Sequence, residues 1–163
     1  MYTLSTTDQL TGLYNRRYVE EQLSKALSDY KESKVPFSLL MLDVDHFKSV
    51  NDVYGHDVGD KVLVNVSASI KDSVRSVDTP GRWGGEEFIV ICMSDIEGAT
   101  SNAEKLSKKI AEKDNSPAAL VTVSIGVTPV LNKDSIDTVL KRVDQALYEA
   151  KNSGRNQVII KLS

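Results

Sequence analysis

Glu86 and Glu87 stand directly behind two glycines, Gly84 and Gly85, and ahead of the apolar run Phe88-Ile89-Val90-Ile91-Cys92-Met93. Such a stretch packs poorly as a regular element but suits a tight turn whose mouth presents carboxylates. Glycine tolerates the positive φ angles of a hairpin turn and lets a ligand approach the backbone closely. With Arg82-Trp83 before it, the expected local structure is strand, Gly-Gly turn, strand. A solvated hairpin with charged residues along its edge fits the same residues. Another acid, Asp43, ends the apolar run Phe37-Ser38-Leu39-Leu40-Met41-Leu42 and is followed by Val44, Asp45, His46, Phe47 and Lys48. Acids at the end of a buried strand are costly unless something pairs with them. If the two strands are neighbours, Asp43 and Glu86 converge. Two hard oxygen ligands with room for water and phosphate describe a magnesium site; unrelated edge acids are the plainer reading.

Cationic and amide groups lie where an anion would need them. Backbone amides at the His46-Phe47 turn could cradle phosphate oxygens, with the Lys48 ammonium nearby. Lys151 and Arg155 would share a helix face if their helix continued, or they complement a helix C-terminus. Asn51 and Asp60 pair an amide with a carboxylate, the donor and acceptor needed to read guanine, although both residue types also cap helices.

The elements that must position these groups follow from periodicity. Val19, Leu23, Ala26 and Tyr30 form one helical stripe. Phe37–Leu42 suits a central strand buried on both faces. A short helix is expected from Ser49 to Gly55, and a longer one opens at Gly59-Asp60 with Leu63, Val66, Ile70 and Val74 on one face. After the hairpin come a helix marked by Ala99, Ala103, Leu106 and Ile110, a β-branched strand over Leu120–Val127, and a helix carrying Ile136, Leu140, Val143, Leu147 and Ala150. Gly154 stands in a helix-stop position before the closing strand Val158-Ile159-Ile160. The order is helix, strand, helix, helix, strand, strand, helix, strand, helix, strand. It predicts an α+β fold, a mixed central sheet flanked by helices, in a single domain over residues 1–163.

The 163 residues are 40% hydrophobic and 26% charged, with a net charge of -3, so a core is available and a phosphate-neutralising nucleic-acid surface is not expected. No apolar run approaches the ~20 residues of a membrane span, so no membrane contact by the domain is expected. The lone Cys92 sits in a strand run and reads as a buried, inert thiol.

Taken together, the sequence resembles the GGDEF family of diguanylate cyclases. The resemblance rests on Asp8-x-Leu10-Thr11-x-Leu13-x-Asn15-Arg16-Arg17, Asp43-x-Asp45-x-Phe47-Lys48-x-x-Asn51-Asp52, Gly55-His56-x-x-Gly59-Asp60, Arg82-Trp83-Gly84-Gly85-Glu86-Glu87-Phe88, Ser124-Ile125-Gly126 and Ala150-Lys151-x-x-Gly154-Arg155-Asn156, in that order over nearly the whole chain. It implies a fold similar to the adenylyl cyclase catalytic core and polymerase palms. It also implies Mg2+ or Mn2+ bound by Asp43 and Glu86 with the Val44 carbonyl, and Glu87 at the metal site or activating the 3′-hydroxyl. Asn51 and Asp60 would read guanine. The His46-Phe47-Lys48 turn, Lys151 and Arg155 would hold the triphosphate, with Gly84 and Gly85 giving room for the α-phosphate and ribose. The implied reaction condenses two GTP into cyclic di-GMP between two copies of the domain, so a homodimer is expected. Arg75-x-x-Asp78 would form a product-binding inhibitory site, its plainer reading being a surface pair. The resemblance further implies a cytoplasmic domain from a longer sensor protein whose parent is in some cases membrane-anchored. The alternative expectation is a receptor or regulatory module that binds cyclic di-GMP or GTP with little catalysis.

Overall fold

The apolar run ending at Asp43 becomes β1 (Ser38–Val44), buried at every position. A computed structural model describes residues 5–163 and places β1 at the middle of a five-stranded sheet. β3 (Glu87–Cys92) and β4 (Val123–Pro129) flank it antiparallel, β2 (Thr79–Arg82) lies outside β3, and β5 (Val158–Ile160) runs parallel to β4. The helices are α1 (Arg16–Ser33), α2 (Phe47–Tyr54), α3 (His56–Ser73), α4 (Ile96–Glu112) and α5 (Ile136–Asn152). This is the element order expected from the sequence, and the fold is α+β with a mixed sheet.

Strand alternation decides which helices see which side chains. Leu40, Leu42 and Val44 share a core with Val62, Leu63, Val66 and Ile70 of α3 and with Ala103, Leu106 and Ile110 of α4. Leu39 and Met41 point to the other face, against Val19 and Leu23 of α1 and Val143 and Leu147 of α5. By the same parity Asp43 projects towards α5. Glu87 is its register partner on β3, on the face shared with Ile89 and Ile91.

Several element boundaries differ from expectation, β1 running on through Val44 and β3 spanning Glu87–Cys92 among them. β4 starts at Val123 because its partner β1 ends at Val44, which pairs with Val123; Leu120 has no ladder partner and is 74% exposed. α2 begins at Phe47 and α3 at His56, so Asn51 and Asp60 lie inside helices and cap neither. Tyr30 is only partly buried, the fourth place on the α1 stripe being taken by Leu27.

Gly126 sets the distance between β4 and α5. A Cβ there would lie 2.4 Å from the Leu147 amide nitrogen and 2.7 Å from the Val143 carbonyl oxygen, backbone atoms that cannot rotate away. Gly126→Ala is expected to destabilise the fold by at least about 2 kcal/mol, the scale of core overpacking. Denaturant unfolding checks this, with a midpoint shift at constant slope expected.

Candidate active site

The hairpin forms as expected, but only one of the two expected reasons for its glycines holds. Arg82 pairs with Phe88, and the Trp83 and Gly84 amides both donate to the Glu87 carbonyl, at 2.8 and 3.2 Å. Neither Gly84 nor Gly85 has a positive φ; the glycines with positive φ are Gly12, Gly55 and Gly154. The Gly-Gly pair is there for space. A Cβ on Gly84 would sit 3.0 Å from Glu87 Oε1, and one on Gly85 would project into open solvent where a ligand can lie. Arg82 holds the turn from behind, donating to the Gly84 and Gly85 carbonyls at 3.2 and 2.8 Å while its other nitrogen reaches Asp8 at 3.3 Å. Burial works against an ionised Asp8, but hydrogen bonds from the Thr11 hydroxyl and amide and the charge of Arg82 outweigh it and hold the carboxyl below its ordinary range. Arg16 lies over the Trp83 ring at 4.1 Å and covers the turn's other side.

The ladder brings the acids together. The Val44 amide donates to the Glu86 carbonyl at 3.2 Å, so Glu86 lies beside the end of β1, next to Asp43. Lys151 reaches in from α5 and places Nζ 2.7 Å from Asp43 Oδ2. Burial pushes the Asp43 carboxyl above its ordinary range despite that ammonium. Burial and then the Asp43 charge push Glu86 up, and Glu87 is raised by the same two causes in the same order. Three acids thus crowd one lysine, a surplus of negative charge that a divalent cation would relieve. Among the described residues no three or more His, Cys, Asp or Glu side chains already form a metal cluster. The donors that fit a hard cation are two carboxylates and a backbone carbonyl, with Glu87 beside them, and solvent and phosphate oxygens would complete them.

Asn51 carries the clearest sign of a missing partner. Its Oδ1 is buried and has no hydrogen-bond partner. Gly59 faces it, and a Cβ on Gly59 would lie 1.9 Å from that oxygen and 3.3 Å from the Phe47 ring. The Asn51 amide oxygen therefore occupies the space that Gly59 leaves, and any side chain at 59 would displace it. Asp60 follows, exposed, in the first turns of α3. Sequence reading named Asn51 and Asp60 but missed that Gly59 makes room for Asn51; its signal was a glycine inside an otherwise helical stripe.

At the other end of the site, His46 adopts φ 55 and no side chain caps α2, which leaves the first amides of an eight-residue helix open to an anion. Lys48 is exposed beside them. Lys151 and Arg155 do not share a helix face, because α5 ends at Asn152 and Arg155 lies beyond it with φ 62. Gly154, at φ 112, makes that stop, as expected. Arg155 remains close enough that its charge lowers the Asp43 carboxyl, against the larger effect of burial.

Arg75 and Asp78 lie away from this cluster, after α3. The pair is more built than a surface contact. Asp78 is buried and accepts from the Arg75 and Met93 amides at 2.9 and 2.8 Å. The Arg75 side chain is 55% exposed, with its guanidinium braced on the Met93 carbonyl at 2.7 Å. Cys92 is buried nearby and burial raises its thiol pKa, in keeping with an inert role.

Fold and site together define a cyclase-like α+β domain, with an acid pair and a lysine at the open end of its central strands. The chain belongs to the GGDEF domain family of diguanylate cyclases, whose family model matches residues 5–157. It is 41% identical to the response regulator PleD of Caulobacter vibrioides over 96% of this chain, and 40% identical to diguanylate cyclase DgcM of Escherichia coli over 93%. It spans 36% and 37% of those proteins' lengths. The GGDEF domain of DgcB from Caulobacter crescentus in complex with c-di-GMP superposes with a TM-score of 0.91 at 30% identity, covering 98% of each chain. The active GGEEF domain of a diguanylate cyclase from Vibrio cholerae gives 0.85 at 34% identity, covering 93% of this chain and 97% of that one.

Proposed function

We propose that this domain is a diguanylate cyclase that condenses two GTP into cyclic di-GMP with release of two pyrophosphates. The observation that carries the proposal is the surplus of carboxylates, Asp43, Glu86 and Glu87, around one lysine at the end of β1, where the family's metal motif falls. Mg2+ or Mn2+ held by Asp43, Glu86 and the Val44 carbonyl, with Glu87 beside them, would supply Lewis acidity for the attacking hydroxyl and the phosphate. The chain's own residues bind and orient. Asn51 Oδ1 accepts from the guanine edge and Asp60 accepts from its N–H groups, while the open space at Gly84 and Gly85 admits the α-phosphate and ribose. The α2 amides, Lys48, Lys151 and Arg155 neutralise the triphosphate, Lys151 exchanging its Asp43 contact for phosphate. Each domain holds one GTP, so the bond-forming step needs a second copy facing the first. Among the described residues no helix is long and apolar enough to cross a membrane, and a domain that consumes GTP would work in the cytoplasm.

Incubating the protein with GTP and Mg2+ and identifying products by mass spectrometry tests this. Cyclic di-GMP and pyrophosphate in a one-to-two ratio are expected, with ATP a poor substitute. Absence of product from concentrated protein would refute it.

The braced Arg75 favours a second role for the same domain, binding of product at Arg75 and Asp78 with inhibition. Arg75→Ala is expected to weaken cyclic di-GMP binding by at least about tenfold, the worth of a charge-assisted pair. Calorimetry measures this, and an unchanged affinity would remove the inhibitory site.

A further inference from the structure

Asp45 follows directly on the end of β1, two residues past Asp43, near enough that its charge adds to the rise of the Asp43 carboxyl. It is buried, and both of its oxygens are occupied. Oδ1 accepts from the Ser124 hydroxyl at 2.6 Å. Oδ2 accepts from the Thr122 hydroxyl at 2.7 Å and from the Asn156 amide at 3.0 Å. A carboxylate offers only acceptor sites, and here three donors converge on it.

The Asn156 contact is the informative one. Gly154, Arg155 and Asn156 have φ values of 112, 62 and 47, three successive residues in the left-handed region. Left-handed backbone is unfavourable for residues with a Cβ and persists where surrounding contacts fix it. Two kinds of contact fix this segment. The Arg155 amide donates to the Ala150 carbonyl at 3.0 Å, and the Gln157 side chain donates to the Ser153 and Arg155 carbonyls at 2.8 and 3.1 Å. These tie the segment to α5 and to itself. Among its side-chain anchors, Asp45 joins it to the strand that carries Asp43.

We propose that Asp45 is a positioning residue for the triphosphate: through the Asn156 amide it sets the left-handed turn that holds Arg155, and with it the end of α5 that carries Lys151, over the phosphate site. It does not bind the metal. The proposal rests on the reading of this site as a GTP site.

The test is binding of GTP and of GMP, measured by calorimetry with Mg2+ present. GMP shares the base, ribose and α-phosphate but lacks the two phosphates that Arg155 and Lys151 would reach. Asp45→Ala is expected to weaken GTP about 10- to 100-fold, the effect of removing a charged hydrogen-bond acceptor, and to leave GMP within about twofold. Asp45→Asn should recover most of the loss, because an amide oxygen can still accept from Asn156 while the two hydroxyls rotate to suit it. In an Arg155→Ala background, Asp45→Ala should add less than about threefold, since residues acting through one another are not additive. Equal losses for GTP and GMP, or full additivity with Arg155→Ala, would overturn the proposal, and both also describe a merely structural Asp45. If Asp45→Ala fails to fold, Asp45→Ser carries the same comparison: its hydroxyl is too short to reach Ser124, Thr122 and the Asn156 amide together, leaves the Asn156 backbone free to keep φ 47, and should reproduce the GTP-selective loss. The readout is binding, so a chain that binds GTP but yields no cyclic di-GMP counts against the cyclase reading alone. A wild-type chain that binds neither nucleotide overturns both.

Discussion

Glu86→Gln is expected to lower cyclic di-GMP synthesis at least about 10³-fold, because it removes one of the two carboxylates proposed to hold the metal. The same substitution is expected to stabilise the metal-free fold near neutral pH. The Glu86 carboxyl is raised by burial and then by the charge of Asp43. The folded protein therefore holds that proton more tightly than the unfolded chain does. Between the unfolded and folded pKa values the native state binds more protons, so this group's contribution to stability falls as pH rises through that window. Glutamine cannot ionise and escapes the loss. The variant should melt higher than wild type at about pH 7.5 without metal, and the difference should vanish below the ordinary glutamate value of 4.5. Adding Mg2+ should raise the melting point of wild type more than that of the variant, which keeps Asp43 and Glu87 but has lost one of the two carboxylates proposed to hold the metal. A variant that loses activity and also loses stability at neutral pH would mean that Glu86 packs rather than coordinates.

The acid pair was legible in sequence because strand parity and a short hairpin loop leave few alternatives. An apolar run that stops at Asp43, and another that starts after Glu87, must end near each other if they pair, and they do, with Asp43 opposite Glu87. The order of all ten elements followed from periodicity for the same reason, since each helix buries one stripe and each strand one or two faces. Tertiary bracing was not legible. Asp8 lies far from Arg82 in the chain, and only the isolated bridge between Tyr14 and Gly81 shows why the N-terminal turn lies behind the hairpin. Gly84 and Gly85 read as turn glycines, although their φ angles are ordinary and what matters is the room they leave. Gly154 signalled the end of α5, but spacing left open whether Arg155 shared a helix face with Lys151 and could not reveal that three left-handed residues redirect the chain there.

Tethering two copies is expected to raise specific activity by about 10²- to 10³-fold at micromolar protein, because a short tether makes the partner's effective concentration roughly millimolar. The proposed product contains two guanylyl units, while the described residues offer one unpartnered buried acceptor at Asn51 and one acid pair at Asp43 and Glu86. On the proposed function, one copy would present one nucleotide across the hairpin, and the opposing 3′-hydroxyl would come from another copy. Without a tether, specific activity should climb with protein concentration and then level off as copies pair. Fusing a parallel two-stranded coiled coil ahead of α1 should remove most of that dependence, and a product assay across protein concentrations measures it. The linker must let the two Gly84-Gly85 turns face one another, so lengthening the coil by half a heptad should cost activity that a full heptad restores. A flat concentration profile from untethered protein that sediments as a monomer would overturn the requirement for a second copy. The tether should leave GTP affinity per site unchanged, since it alters the frequency of encounter and not the contacts made by Asn51, Lys151 or Arg155.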